Sequence, residues 1–182
     1  MDFKTRRSIR KFKDVSVEKE KVQEILKAAL LAPTGKNSRA CEFAVVDDKK
    51  IIAEIPKMRE HGASFTDKAP LIIAVMGEKE KSTTLLEDCS IAGFAIQVKA
   101  HELGLGSCWV QVNNRKTADG MMSEDYFKNL IEAPENIKVM CLIVIGYPDE
   151  EKPHYTENDI NWNKVSYNKY GNRLILYANY KL

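Results

Sequence analysis

The sequence predicts one layered domain of helices and sheet, α/β or α+β, and three observations carry that prediction. Segments with helical periodicity alternate with short apolar runs, the pattern of helices packed on a sheet. Two of those runs, Leu71–Met76 and Val139–Ile145, are uninterrupted and rich in β-branched residues, as strands buried on both faces are. At 182 residues, with 44% hydrophobic and 30% charged side chains, the chain has enough material for a single adequate core.

The elements follow in order. Ser16 is a suitable N-cap for a first helix reaching about Ala32, with Val22, Ile25, Leu26, Ala29 and Leu30 as one apolar stripe. Pro33–Ser38 stops it in a polar loop. Phe43–Val46 reads as a strand, followed by a short helix over about Lys49–Glu54 and a loop through His61 and Gly62. After the buried strand Leu71–Met76 comes the longest periodic segment, Thr83 to Leu103. It is apolar nearly all round, so it reads as a central helix covered on most faces. Gly93 with Ala92 and Ala95 forms a small-residue patch open to close approach, and Gly104 is a plausible C′ residue. Ser107–Val112 is a short strand or extended loop. Ser123 to Ala133 is a capped amphipathic helix stopped near Pro134, and Val139–Ile145 is the third buried strand. The last stretch, 149–182, is polar and aromatic, with Leu174–Leu176 as a candidate further strand. A segment of that kind buries little by itself, so it is expected to wrap a neighbouring surface.

Charge and motifs narrow the function. The net charge is +2, from 28 basic and 26 acidic residues, without the basic excess of a nucleic-acid binder. No apolar run approaches the roughly 18–20 residues of a membrane span, and the start lacks the apolar segment of a secretory signal. The expectation is therefore a cytoplasmic protein with no nucleic-acid or membrane partner. Cys41, Cys89, Cys108 and Cys141 lack CxxC spacing and read as reduced thiols rather than metal ligands. There is no GxGxxG after a strand, no GxxxxGK[ST], no GxSxG and no HExxH. His61, His101 and His154 sit in no nucleophile motif. No side chain stands out as a catalyst, so a bound cofactor is expected to carry any reaction.

Three segments remain as candidate binding elements. Arg6-Arg7-Ser8-Ile9-Arg10-Lys11-Phe12 places four cations and a hydroxyl in seven residues. Guanidinium forks with a hydroxyl suit a phosphate, while on charge alone a solvated basic arm is the favoured reading. The loop Pro33-Thr34-Gly35-Lys36-Asn37 follows a helix C-terminus, where exposed carbonyls disfavour an anion. Its hydroxyl and amide suit the polar edge of a neutral heterocycle, or it is simply a helix-stop turn. Trp109 is either a core aromatic or a lid over a planar ligand.

Four motifs in one order resemble the FMN-dependent nitroreductase superfamily, over about residues 1–150. They are Arg6–Phe12, Ala32-Pro33-Thr34-Gly35-Lys36-Asn37-Ser38-Arg39, Leu103-Gly104-Leu105-Gly106-Ser107-Cys108-Trp109 and Ile145-Gly146-Tyr147-Pro148. The resemblance implies an α+β nitroreductase-like fold, a central mixed β-sheet flanked by helices, spread over one domain, 1–182. It also implies a homodimer built on the long central helix, with 149–182 as a dimer-wrapping tail. FMN would bind at the subunit interface. Arg6, Arg7, Ser8 and Arg10 would hold its phosphate, ribityl chain and the N1/O2 side of the ring. Pro33, Thr34, Gly35 and Asn37 would approach the ring from the partner chain, and the Trp109-Val110-Gln111 backbone would lie near N5. Lys152 is the nearest match to the cations that complete the phosphate site.

The implied activity is ping-pong transfer of a hydride from NAD(P)H, through the flavin, to a nitroaromatic, a quinone or a related small acceptor. A different reaction on the same fold, such as dehydrogenation or dehalogenation, and a non-catalytic flavin-binding or sensing role are the alternatives. Two departures bear on the substrate. Asn37-Ser38-Arg39-Ala40-Cys41 stands where many members read Asn-x-Gln-Pro-Trp, and the region between Pro56 and Pro70 is short.

Overall fold

The computed structural model describes residues 2–172. Among the described residues four strands form one sheet: β1 (Cys41–Val46), β2 (Leu71–Glu78), β3 (Gly106–Gln111) and β4 (Ile137–Gly146). Their spatial order is β1-β2-β4-β3, and every pairing is antiparallel. The expected mixed sheet is thus corrected: among the described residues the one parallel contact is an isolated bridge from Ser8 to Ser107.

Uninterrupted apolar strands usually signal a parallel sheet; here they arise because helices cover both faces of an antiparallel one. Successive side chains leave a strand on opposite faces, and β2 and β4 divide accordingly. Ile72, Ala74, Leu142 and Val144 enter a core with α2 (Lys49–Glu54) and α4 (Ser123–Leu130), centred on Phe127. Ile73, Val75, Cys141, Ile143 and Ile145 enter a second core with α1 (Lys19–Leu30) and α3 (Leu85–Glu102).

Helix boundaries differ from expectation for identifiable reasons. Ser16 is not the first cap. Glu18 holds that position, and its carboxylate accepts the Tyr147 hydroxyl at 2.6 Å, which pins the helix start two residues later. Tyr147 also takes a hydrogen bond from Lys21 at 2.6 Å. The Tyr147 bond holds the Glu18 carboxyl below its usual range. Leu30 leaves the expected stripe and is 63% exposed, because Ile25 and Ala29 define the buried face. Helix α4 stops at Leu130 rather than Ala133, since Glu132 takes φ +55°. Ser123 is its first helical residue, not its cap, and its buried hydroxyl donates to the Met58 carbonyl at 2.6 Å.

Helix α3 begins at Leu85 and ends as expected, with Gly104 at φ +76° one residue beyond the C-cap. Its coverage is less complete than all-round apolarity predicts. Leu85, Cys89, Ala92, Ile96 and Ala100 are buried on the sheet, while Leu86, Ile91 and Phe94 are each more than a third exposed. Among the described residues no helix is long and apolar enough to cross a membrane.

The N-terminal segment is ordered rather than a solvated arm. Ile9 N–H donates to the Ser107 carbonyl at 3.0 Å, and Lys13 N–H donates to Tyr147 at 2.9 Å. The segment thereby lies across the start of β3 and the chain leaving β4. Residues 149–159 fold back over it: Asp149 N–H donates to Lys11 at 2.9 Å and Tyr155 N–H to Lys4 at 2.9 Å. The first part of the tail therefore docks on its own chain. Beyond it Tyr167 and Tyr170 are 52% and 102% exposed, and the candidate strand Leu174–Leu176 lies outside the described residues.

Candidate functional site

A cavity of about 480 Å³ opens where the N-terminal segment, the end of α3, the start of β3 and the tail meet. Arg6, Arg7, Ser107 and Lys152 line it, together with the Gly104–Gly106 turn, His101 and Glu150. The Nη1 atom of Arg6 is buried and has no hydrogen-bond partner among the described residues. A buried guanidinium donor without an acceptor is costly, so an anion placed there would relieve it.

The other cations of the cluster differ in availability. Lys152 is in the cavity wall, but its ammonium pairs with Glu150 at 2.7 Å. Glu150 also accepts the Arg10 and Lys11 main-chain N–H groups at 2.5 and 3.2 Å. Lys152 first, and then these amides, hold the Glu150 carboxyl below its usual range. The Arg7 guanidinium lies 4.3 Å from the Tyr155 ring centroid, and that of Arg10 lies 5.8 Å from the Phe65 centroid. Ser8 is half-buried. Burial raises the neighbouring Cys108 thiol, opposed by the charges of Arg10 and Arg6. Thr5 and His101, which the sequence does not single out, close the cavity with a 2.8 Å hydrogen bond between Thr5 Oγ1 and His101 Nε2.

Strand β3 is the sheet edge beside this cavity. Main-chain groups alternate in direction along an antiparallel strand. The Ser107 carbonyl turns away from β4 to meet Ile9, so Trp109 and Gln111 present their main-chain groups on the same outer side. The Trp109 ring is not a lid. A Cβ on Gly93 would lie 2.7 Å from it, so the indole packs directly on α3. Its Nε1–H donates to Gln111 Oε1 at 2.8 Å, and Gln111 in turn donates to the Asn113 carbonyl at 3.1 Å. Val110 points into the opposite core.

The loop after α1 lies elsewhere. Lys36, Asn37 and Arg39 all take positive φ, between 48° and 54°, a conformation that is costly for residues with a Cβ. Thr34 Oγ1 accepts the Arg39 N–H at 3.0 Å, and Pro33 and Asn37 are exposed. The loop is tied to Asp88, in the first turn of α3, whereas the Arg6 cavity meets His101 in the last turn. About 20 Å of helix separates the two, at 1.5 Å per residue. Within one chain the structure thus brings Arg6, Arg7, Ser8, Arg10, Lys152 and the start of β3 together, and leaves Pro33, Thr34, Gly35 and Asn37 apart from them.

A family model described as the nitroreductase family matches residues 3–61 and 53–147. The chain belongs to the nitroreductase family. An FMN-dependent nitroreductase from Clostridium difficile superposes with a TM-score of 0.90 at 49% identity, over 92% of this chain and 97% of that one. A Methanothermobacter thermautotrophicus protein, provisionally named NADH dehydrogenase/NAD(P)H nitroreductase, is 36% identical over 152 residues, 81% of this chain and 76% of its own. An iodotyrosine deiodinase bound to FMN and 3-iodo-L-tyrosine shares the fold, with a TM-score of 0.74 at 24% identity, over 92% and 97% of the two chains.

For a nitroreductase-family chain, one further arrangement escapes the sequence. The thiols of Cys41 and Cys89, 48 positions apart, meet at 3.8 Å across β1 and α3, although no CxxC spacing announces them.

Proposed function

We propose that this nitroreductase-family chain is one subunit of a homodimeric, FMN-dependent NAD(P)H oxidoreductase that reduces nitroaromatics, quinones or related conjugated acceptors. The observation that carries the reading is the buried, unpartnered Arg6 Nη1 in a cavity it shares with Ser107 and Lys152. That donor set fits a phosphate. The 49% identity to the FMN-dependent nitroreductase supports FMN as the phosphate's owner. When bound, FMN supplies a ring that accepts a hydride from the nicotinamide and returns the electrons to an acceptor.

The chain's own residues bind and orient. Arg6 donates to phosphate oxygens. Lys152, already neutralised by Glu150, contributes position more than charge. Nothing lies within 4 Å of a Cβ built on Gly104, so the main chain there stays open to a ligand's approach. Ser8 and Arg10 flank the route from the cavity towards β3, whose outward Trp109 and Gln111 main-chain groups offer directed hydrogen bonds along the ring edge. Val110 serves only by holding the strand in place, since its side chain is in the core and, by the same alternation, its main-chain groups face β4.

The dimer follows from two features. Leu31, Ile91 and Phe94 are 84%, 44% and 45% exposed, an apolar surface that asks for cover. Two α3 helices packed antiparallel about a two-fold axis would set the Pro33–Asn37 loop of one chain over the Arg6 cavity of the other. Each site would then be complete only in the pair. We further propose that the chain is one domain over 1–182, and that residues 160–172, beyond the docked first part of the tail, cross to the partner.

The test is direct. Purified protein should be yellow, hold one FMN per chain, bleach with NADH or NADPH, and recover colour with a nitroaromatic or quinone. Steady-state data should show parallel double-reciprocal lines. Bound FMN that neither nicotinamide reduces would overturn the oxidoreductase reading in favour of a flavin-binding role. Turnover confined to halogenated phenols would favour dehalogenation, the activity named for the more distant relative.

A further inference from the structure

We infer that Asp88 is a positioning residue for the ring end of the flavin site, acting through the Thr34–Arg39 loop. The inference rests on the flavin reading of that loop given above. Asp88 is 2% exposed and belongs to none of the motifs that mark the family in this sequence. Its Oδ1 accepts the Gly35 N–H at 2.8 Å. Its Oδ2 accepts the Ser82 hydroxyl at 2.9 Å and the Ser38 hydroxyl at 3.4 Å, and Thr84 Oγ1 donates to it at 3.2 Å. One buried carboxylate thus joins both sides of the loop to the start of α3.

The loop needs such a fastening. Three of its residues without glycine's freedom hold positive φ, which persists only where the surroundings over-determine the backbone. Gly35 is fitted against the same cluster, since a Cβ there would lie 2.1 Å from Thr84 Oγ1. The main-chain bond at Gly35 and the side-chain bond at Ser38 bracket Lys36 and Asn37, and exposed Asn37 is one of the loop residues assigned to the ring. A common helix stop uses a single left-handed residue, whereas this loop holds three. Asp88 touches neither substrate nor cofactor; its effect passes through Gly35 and Ser38.

Asp88→Ala removes every fastening, while Asp88→Asn keeps an oxygen for the Gly35 N–H and an amide that the Ser82 and Thr84 hydroxyls can accept. With purified flavin-loaded protein, Asp88→Ala should lower kcat about tenfold to a hundredfold, as loss of hydrogen bonds to a charged group does. It should also shift the flavin's visible bands and midpoint potential, and Asp88→Asn should restore most of each. Ser82→Ala, which leaves the loop itself untouched, should shift the bands in the same direction by less, and it serves where Asp88→Ala does not fold. Wild-type spectrum, potential and kcat in Asp88→Ala, or in Ser82→Ala where the alanine variant does not fold, would overturn the positioning role while leaving the FMN reading intact. A wild-type protein that takes up no FMN would overturn both.

Discussion

The two ends of α3 (Leu85–Glu102) solve different problems with different chemistry. At its last turn the chain builds a cavity from its own segments: Arg6 and Ser107 line it, the Nη1 atom of Arg6 is buried, and Lys152 is held by Glu150 at 2.7 Å. At its first turn the chain builds a strained loop, fastened to a buried carboxylate, with Pro33 and Asn37 exposed. In the proposed dimer the first end is a receptor ready within one subunit, and the second is a part presented to another. The contrast explains why one chain carries all the expected site residues yet unites only some of them. On the proposed reading, anchoring of the phosphate and orientation of the ring are separable, and substitutions should separate them.

The largest effect should come from denying the two ends their meeting. Phe94→Asp puts a charge on the exposed apolar face of α3, where burial in a partner would be costly. Sedimentation should show a folded monomer without flavin and without turnover. A flavin-loaded, active Phe94→Asp monomer would break the comparison. Next, Arg6→Ala should weaken FMN binding about tenfold to a hundredfold, the loss expected for hydrogen bonds to a charged group. Arg10→Ala should cost less than about fivefold, because its exposed guanidinium engages Phe65 in an interaction of about 0.5–1 kcal/mol. Equal losses, read by fluorescence titration, would remove Arg6 from its place as the main anchor.

The smallest effect concerns pH. The Glu150 carboxyl is lowered by Lys152 and by the Arg10 and Lys11 amides. Its contribution is therefore present above the ordinary glutamate value of about 4.3, and is lost as pH falls through the lower folded value. The amide signals of Arg10 and Lys11 should stay constant from neutral pH down to about pH 5 and titrate below the ordinary value. A midpoint above that value would show that the tail and the N-terminal segment are not locked by this pair.

Much of the fold is legible because periodicity and turn chemistry are local. Gly104 ends α3 at positive φ, and the apolar runs over 71–76 and 139–145 lie in β2 and β4. The antiparallel pairing of the described strands is not legible, because an uninterrupted apolar strand reports that both faces are covered, not which way its neighbour runs. Ser16 lost the cap to Glu18 through a tyrosine 129 residues away. The N-terminal cluster is legible as a candidate site because seven residues hold four cations and the four motifs fall in register. Asp88 is not. An acid in a helix's first turn is ordinarily read as complementing the dipole, and its partners come from positions 35, 38, 82 and 84. Trp109 is ambiguous in sequence because a core ring and a lid need the same residue; the close approach at Gly93 decides it.

Subunit mixing tests the central claim most directly. Arg6→Ala spoils the cavity, and Gly35→Val spoils the loop by driving a side chain into Thr84. Each variant alone should be inactive at limiting FMN. After the two are unfolded and refolded together in equal amounts, about half the dimers pair one of each, and every mixed dimer has one doubly damaged site and one intact site. The account predicts recovery of about a quarter of wild-type activity in the mixture. No recovery, with mixed dimers demonstrably formed, would place the whole site within one chain and contradict the shared arrangement.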